Sequence, residues 1–404
     1  METDVLASVL GGLILAIWLY LAFARGWFWL LRERDGEDPS RGRARSATRR
    51  QEDQISLPAA PPVVAVVPAR DEAEVIAQSV TSLLKQNYPG PFSVVLVDDQ
   101  SRDGTADRAM AAAWAVSAGD RLTVVRGEAL PAGWTGKPWA QHQGVQQIEH
   151  MASLPRYVFL TDADIVHAPD TLTWLVAQAE RSNAVLVSLM AKLRCESIAE
   201  RMLVPAFVFF FAMIFPFRWV ADRTRATAAA AGGCMLVRRD ALAAAGGIAV
   251  IRNALIDDCA LAGALKPLGP IWLGVTERVQ SIRAYPAFAD IGRMVARSAY
   301  AQLRYSPLIL VATVLALLAV FVAPVAILLG EEGLPQWLGG ASWLVMAILF
   351  RPTLQFYDRP PLHGFLMPAI ALVYTLFTIV SAVQYARGRG GLWKDRAQAN
   401  LVRS

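Results

Sequence analysis

A chain of 404 residues can bury a large core, so its size excludes no class of enzyme. With 55% hydrophobic and only 18% charged residues, and a mean hydropathy of +0.36, it is too apolar for an ordinary soluble protein and points to membrane spans. The net charge of +5 does not argue for nucleic acid: Arg32, Arg34, Arg41, Arg43, Arg45, Arg49 and Arg50 cluster behind the first apolar segment, as in a cytoplasmic membrane flank, and no basic stripe interleaved with aromatics follows.

That first segment, residues 5–24, lacks Asp, Glu, Lys and Arg and has the roughly 20 residues a bilayer-spanning helix needs. Glu2 and Asp4 stand where a signal peptide carries basic residues, and no small-residue cleavage site follows, so residues 1–26 read as a retained anchor with its N-terminus outside. Residues 27–60 read as a basic, flexible linker. From Pro61 the pattern becomes short β-branched runs separated by amphipathic stretches, the mark of βαβ units around a mostly parallel sheet. Strands are expected at 63–67, 94–97, 122–125 and 157–160, with a helix over 72–85 whose apolar face carries Val75, Val80, Leu83 and Leu84.

The stretch 202–217 is apolar and aromatic but short for a span and holds Pro205 and Pro216. It is expected as a helix in the membrane interface near 202–219, with a buried core helix as the other reading. Residues 306–330, 333–350 and 360–386 again lack charged side chains and form a C-terminal membrane region, 306–386, before a basic tail, 387–404. Three spans after a cytosolic domain would put Arg387, Arg389, Lys394, Arg396 and Arg403 outside, against the positive-inside rule. One segment is therefore expected to be interfacial or re-entrant, and 333–350, the shortest, is the candidate. Cys195, Cys234 and Cys259 are too few and too scattered for a disulfide framework or a zinc site, and fit a reducing cytoplasm.

Four acidic motifs fall at predicted strand ends or helix starts. Pro68, Ala69, Arg70, Asp71 and Glu72 follow the first strand, where acids also suit a helix N-terminus. In VDDQSRDGT, residues 97–105, the pair Asp98 and Asp99 with Ser101, Asp103 and Gly104 exceeds what capping requires and suits hydrogen bonding to a base and ribose. TDAD, residues 161–164, puts Asp162 and Asp164 so close that a cation must neutralise them, and hard carboxylate oxygens suit Mg²⁺ or Mn²⁺ bridging a diphosphate. Asp257 and Asp258 open a short helix; they serve either as its cap or as a general base.

The ordered set PARDE, VDDQSRDGT, TDAD and IDDCAL resembles a family 2 glycosyltransferase over residues 61–305. The resemblance implies an α/β GT-A catalytic domain with a Rossmann-like, mostly parallel sheet between N-terminal and C-terminal transmembrane helices. It assigns Ala69, Arg70, Glu72, Asp98, Asp99, Lys137 and Asp162 to the nucleotide sugar, and Asp162 and Asp164 to the metal. Asp258 becomes the base of an inverting displacement, with Asp257, standing where the family has Glu, as the alternative. Gly136, Lys137, Ala140 and Gly144 match a GKxxALNxG stretch in which the Lys can face the diphosphate, while His142 replaces its Asn. Ala301, Gln302, Leu303, Arg304 and Tyr305 align with an acceptor-side QxxRW element whose Arg and an aromatic survive while its leading Gln does not, which argues against a processive polysaccharide synthase.

Two further stretches, 17–29 and 130–140, look most like the hopene-associated branch of the family; ceramide glucosyltransferases are more distant. The expectation is a multi-pass protein of the bacterial inner membrane whose catalytic domain faces the cytoplasm. It would transfer a hexose or N-acetylhexosamine from a UDP-sugar donor to a hopanoid-type membrane lipid. Other readings are a different glycolipid synthase, an inactive nucleotide-sugar-binding scaffold, and a transporter, the last disfavoured because the apolar segments lack intramembrane charges.

Overall fold

The computed structural model describes residues 2–36 and 60–391. Arg41 to Arg50, most of the expected linker and the tail residues Lys394, Arg396 and Arg403 lie outside the described residues.

The four expected strands form as β1 (Val63–Ala69), β2 (Phe92–Asp98), β3 (Leu122–Arg126) and β4 (Tyr157–Leu160). Beyond them come β5 (Ile165–His167), β6 (Leu186–Leu193), β7 (Met235–Arg238) and β8 (Ile271–Ser281). Together they make one eight-stranded sheet in the order β3-β2-β1-β4-β7-β6-β8-β5. β1 runs parallel to β2 and β4, β2 to β3, and β6 to β8; β7 is inserted antiparallel between β4 and β6, and β5 closes the edge antiparallel to β8. All of β1 and β4 is buried, as continuous apolar strands covered on both faces should be. Their carboxyl ends lie side by side with that of β2, where an open α/β sheet binds ligands.

The helices are α1 (Glu2–Phe23), α2 (Ile76–Leu84), α3 (Thr105–Ala115), α4 (Gly136–Glu149), α5 (Thr171–Ser182), α6 (Ile198–Ile214), the short α7 (Phe217–Ala221) and α8 (Arg239–Ala244), and α9 (Asp257–Leu265). Next come α10 (Phe288–Gln302), α11 (Pro307–Leu317), α12 (Ala323–Gly330), α13 (Leu334–Phe356) and α14 (Met367–Ala386). α2 starts later than expected because residues 71–73 are tied to the loop after β2: Glu72 N donates to Thr105 Oγ1 at 2.8 Å and Ala73 N to Asp103 Oδ2 at 2.9 Å.

α6 is the helix expected in the membrane interface, and most of it is enclosed. Phe209 packs against Phe28 and Phe350, each at 5.3 Å between ring centroids, and Phe210 packs against Phe321 and Tyr374. It joins the sheet domain to the apolar helices instead of lying on a surface. The chain following α1 is also docked from the start: Phe28 and Leu31 are buried, Arg34 bridges to Val275 of β8, and the buried Asp35 carboxylate accepts from Thr276 Oγ1 and lies 3.3 Å from Arg278 Nη1.

Among the described residues four segments, Asp4–Phe23, Pro307–Gly330, Leu334–Phe356 and Pro361–Ala386, are long and apolar enough to cross a membrane. α13 runs beside α1 and ends against the sheet domain, where Lys192 of β6 stands 5.0 Å over the Phe356 ring and 3.7 Å from Asp358. The chain then turns back along α13: Gly364 abuts Ala347, and Trp343 Nε1 donates to Phe365 O. α14 returns along α10, with Phe377 on Gly292, Ser381 Oγ donating to Ala296 O, and Tyr385 stacked on Tyr305 at 4.5 Å. Both ends of Pro361–Ala386 therefore sit on the sheet domain's side of the helical layer. Residues 333–350, the segment expected to be interfacial or re-entrant, belong to the uninterrupted α13.

Candidate active site

The loops after β1 and β2 interlock. Asp71 N donates to Ser101 Oγ at 3.0 Å, Arg102 N to Asp71 Oδ1 at 2.8 Å, and Asp103 also accepts from Thr105. Ser101 and Asp103, expected to meet a base and ribose, are thus engaged in holding the two loops together. Burial pushes the Asp103 carboxyl up, but its hydrogen bonds from Thr105 and Ala73 outweigh this and keep it below the ordinary carboxylate range. Asp99 is fully buried; Arg70 Nη1 donates to its backbone O at 2.6 Å and lies 3.6 Å from its carboxylate. Arg70 and Asp99 therefore brace the strand ends from inside, Ala69 is fully enclosed, and Asp98 is the half-buried member of the pair.

TDAD leaves β4 with its first residue locked. Thr161 Oγ1 donates to Gly233 O at 2.7 Å and accepts from His167 Nε2 at 3.0 Å. His167 is sealed beneath Phe159, and burial pushes its pKa down to about 3, so the ring is neutral with its proton on Nε2. The next two acids face outward to opposite cations. Asp162 Oδ1 lies 2.8 Å from Lys137 Nζ, which is also 3.1 Å from Asp257 Oδ2. Asp164 Oδ2 accepts from Arg283 Nε at 2.9 Å, and Arg283 Nη2 donates to both Glu72 oxygens at 2.7 and 2.8 Å.

Lys137 opens α4 beneath Gly232, and its ammonium joins TDAD to the start of α9. Burial works against its charge, but Asp162, Asp257 and Asp258 outweigh that and push its pKa above the ordinary value. Asp258 accepts from Gly232 N at 2.9 Å and from Cys259 N at 2.7 Å. Burial first, and the Asp257 charge second, hold its carboxyl up at about 6 against the pull of Lys137. A carboxylate poised there titrates near neutrality, as a general base requires. His142, further along α4, is packed between Trp134 and Trp139 at 4.8 and 5.6 Å, and burial lowers its pKa.

Glu72, Lys137, Asp162, Asp164, Asp258 and Arg283 line a cavity of about 680 Å³ whose opposite wall carries Phe207 and Phe211 from α6 and Met294, Arg293 and Arg297 from α10. Ala69, Arg70, Asp98 and Asp99 lie at the adjoining strand ends and do not line it. Gln302, Arg304 and Tyr305 are not brought to it either. They form the turn from α10 into α11, with Arg304 and Tyr305 at φ of 53° and 56°, and Tyr305 belongs to an aromatic cluster with Tyr300 and Tyr385. Besides Lys137, the cavity's basic side chains are Arg283, Arg293 and Arg297, which lie outside the four motifs. The one sequence cue was the basic i, i+4 pair on an amphipathic stretch.

Among the described residues no three His, Cys, Asp or Glu side chains converge as a metal cage. The two TDAD carboxylates still fit a divalent ion of the Mg²⁺ type, which is bound by one or two carboxylates and completed by diphosphate and water oxygens.

Residues 61–269, just over half of the chain, match the family described as "Glycosyltransferase like family 2". The chain belongs to that family. As a member it is a glycosyltransferase using nucleotide sugars, and its mostly parallel sheet is the GT-A-like core of the enzyme. No curated protein matches the sequence. Among solved structures, a mannosyltransferase from Pyrobaculum calidifontis in complex with GDP-Man and Mn²⁺ is 19% identical over 91% of this chain and 99% of its own, with a TM-score of 0.51. Glucosyl-3-phosphoglycerate synthase from M. tuberculosis, in complex with Mn²⁺, UDP-glucose and glycerol 3-phosphate, is 18% identical over 60% of this chain and 79% of its own, with a TM-score of 0.39. The likeness to the mannosyltransferase carries the shared fold of this glycosyltransferase past residue 269 into the apolar helices.

Proposed function

We propose that this glycosyltransferase moves a hexose or N-acetylhexosamine from a UDP-sugar to a hopanoid-type membrane lipid by inverting displacement, on the cytoplasmic face of a bacterial inner membrane. The observation that carries the proposal is the single cavity in which Asp258, the TDAD carboxylates and the apolar wall of α6 and α10 meet. A water-soluble acceptor has no use for Phe207, Phe211 and Met294 beside the reacting groups; a lipid does. The hopanoid class rests on the resemblance of residues 17–29 and 130–140 alone.

In the proposed reaction the acceptor hydroxyl attacks the anomeric carbon from the face opposite the diphosphate. Asp258 takes the hydroxyl proton as the new C–O bond forms and the bond to the diphosphate oxygen breaks. Asp258 is the better base of the two acids because Asp257 is ion-paired to Lys137. Asp162 and Asp164 would hold Mg²⁺ or Mn²⁺, which supplies positive charge to the leaving diphosphate. Lys137, 2.8 Å from Asp162, adds charge at the same place.

Asp258→Asn should lower transfer by at least about 10²-fold while sparing donor binding. Normal turnover by the variant would sink the assignment. The donor panel should include GDP-mannose, because the mannosyltransferase structure holds that donor. Lipid mass spectrometry with and without the gene would identify the acceptor. Absence of turnover with every donor and lipid would favour the scaffold reading.

A further inference from the structure

Arg283 does something none of the four acidic motifs announces. It follows β8, and its guanidinium reaches across the site to two carboxylates on different loops: Nε to Asp164 at 2.9 Å, Nη2 to both oxygens of Glu72 at 2.7 and 2.8 Å. The side chains of Glu72 and Asp164 are 10% and 13% exposed and that of Arg283 34%, so the guanidinium covers the carboxylates from the open side. It also lines both the 680 Å³ cavity and a neighbouring one of about 1120 Å³, so it is reachable from either. The backbone that carries it is pinned on both sides. Ile282 N donates to Asp164 O at 3.0 Å, Tyr285 N donates to Glu200 Oε1 at 2.7 Å, and Ser197 Oγ donates to Tyr285 O at 3.1 Å. The side chain can therefore swing while its loop stays in place.

Asp164 is one of the two carboxylates on which the metal reading depends. Arg283 engages Asp164 through Oδ2, and a divalent ion brought to that carboxylate would compete with the guanidinium for its negative charge and be repelled by its like charge at contact distance. A guanidinium fork is, however, a good bidentate partner for phosphate oxygens.

We propose that Arg283 is a built-in counter-cation. In the donor-free enzyme it occupies Asp164 and Glu72 and keeps a divalent ion from binding firmly; when a nucleoside diphosphate arrives, it transfers to the diphosphate oxygens and frees Asp164 for the metal. Metal and donor then bind as a coupled pair, and neither the ion alone nor the bare carboxylate cluster persists. This rests on the metal reading of TDAD given above.

The test is Mn²⁺ binding to the full-length protein in detergent, followed by electron paramagnetic resonance with and without UDP, on the wild type, Arg283→Gln and Arg283→Lys. R283Q should bind Mn²⁺ about tenfold more tightly than the wild type in the absence of UDP and lose most of the enhancement that UDP gives the wild type. R283K keeps a cation beside Asp164 and should retain most of the wild-type suppression. Equal Mn²⁺ affinity of wild type and R283Q without nucleotide overturns the proposal and leaves the metal site standing. Should R283Q not fold, the wild type alone decides, since Mn²⁺ affinity unchanged by UDP overturns the coupling. Failure of any folded protein to bind Mn²⁺, even with UDP, overturns the metal reading itself.

Discussion

Single side chains set the chemistry of this site through what surrounds them. Asp258 faces Asp257, Lys137 and Cys259, and its raised pKa means that at low pH the proposed base is protonated and idle. kcat/KM should therefore rise with pH through an acidic limb near 6. Asp257→Asn removes the like charge that helps raise Asp258, so the limb should move to lower pH; a limb that stays in place would remove Asp257 from the coupling. His167 gives a second pH signature, in stability. Its folded-state pKa is depressed, so the unfolded chain binds a proton below 6.5 that the folded one refuses down to about 3. Stability is fully present above pH 6.5 and declines below it, by up to about 1.4 kcal/mol per pH unit from this group. Thermal unfolding of His167→Gln, compared with wild type between pH 7 and 5, should lack that part of the slope.

Among the elements, α4 lies close against the sheet. Gly144 faces β1 and β2 so closely that a Cβ would lie 2.4 Å from Val66 Cγ1 and 3.1 Å from Val97 Cγ2. Gly144→Ala would gain helix propensity of about 1 kcal/mol but lose more to overpacking, about 1–3 kcal/mol, and would push Lys137 off Asp162. A lowered Tm together with weakened donor binding is the expected result, and a raised Tm would show that the helix has room to move. The strands legible in the sequence were those in which β-branched residues run unbroken and parallel neighbours bury both faces. β5 has three residues and β7 four, too short for a periodic signal, and β6 and β8 carry Lys192, Glu277 and Arg278 among their apolar residues. The acidic half of the site was legible because carboxylates at strand ends form local patterns. Arg283 was not, since nothing local ties it to Glu72, 211 residues away. The tie that Ser101 and Asp103 make between the two loops was not legible, because a loop-to-loop hydrogen bond leaves no mark in sequence.

At the scale of the molecule, a re-entrant path for Pro361–Ala386 would remove the charge puzzle of the C-terminal region. With both ends of Pro361–Ala386 beside the sheet domain, Arg387 and Arg389 lie on the same side as the active site. A reporter fused after residue 404 should report the compartment of the catalytic domain, and an N-terminal reporter the opposite one. A C-terminal reporter in the opposite compartment would show that the segment crosses after all.

A segment that dips in and returns takes up area in one leaflet and none in the other. On a re-entrant path α14 would do so against α10, the helix that presents Met294 and Arg297 to the cavity. The lipids there would be displaced sideways, and the leaflet nearer the active site would meet protein where the opposite leaflet still meets acyl chains. On the lipid-acceptor proposal, a bulky acceptor confined to that leaflet would reach the carboxylates by lateral diffusion up to the edge of a shallow shelf, with little of its body lifted into water.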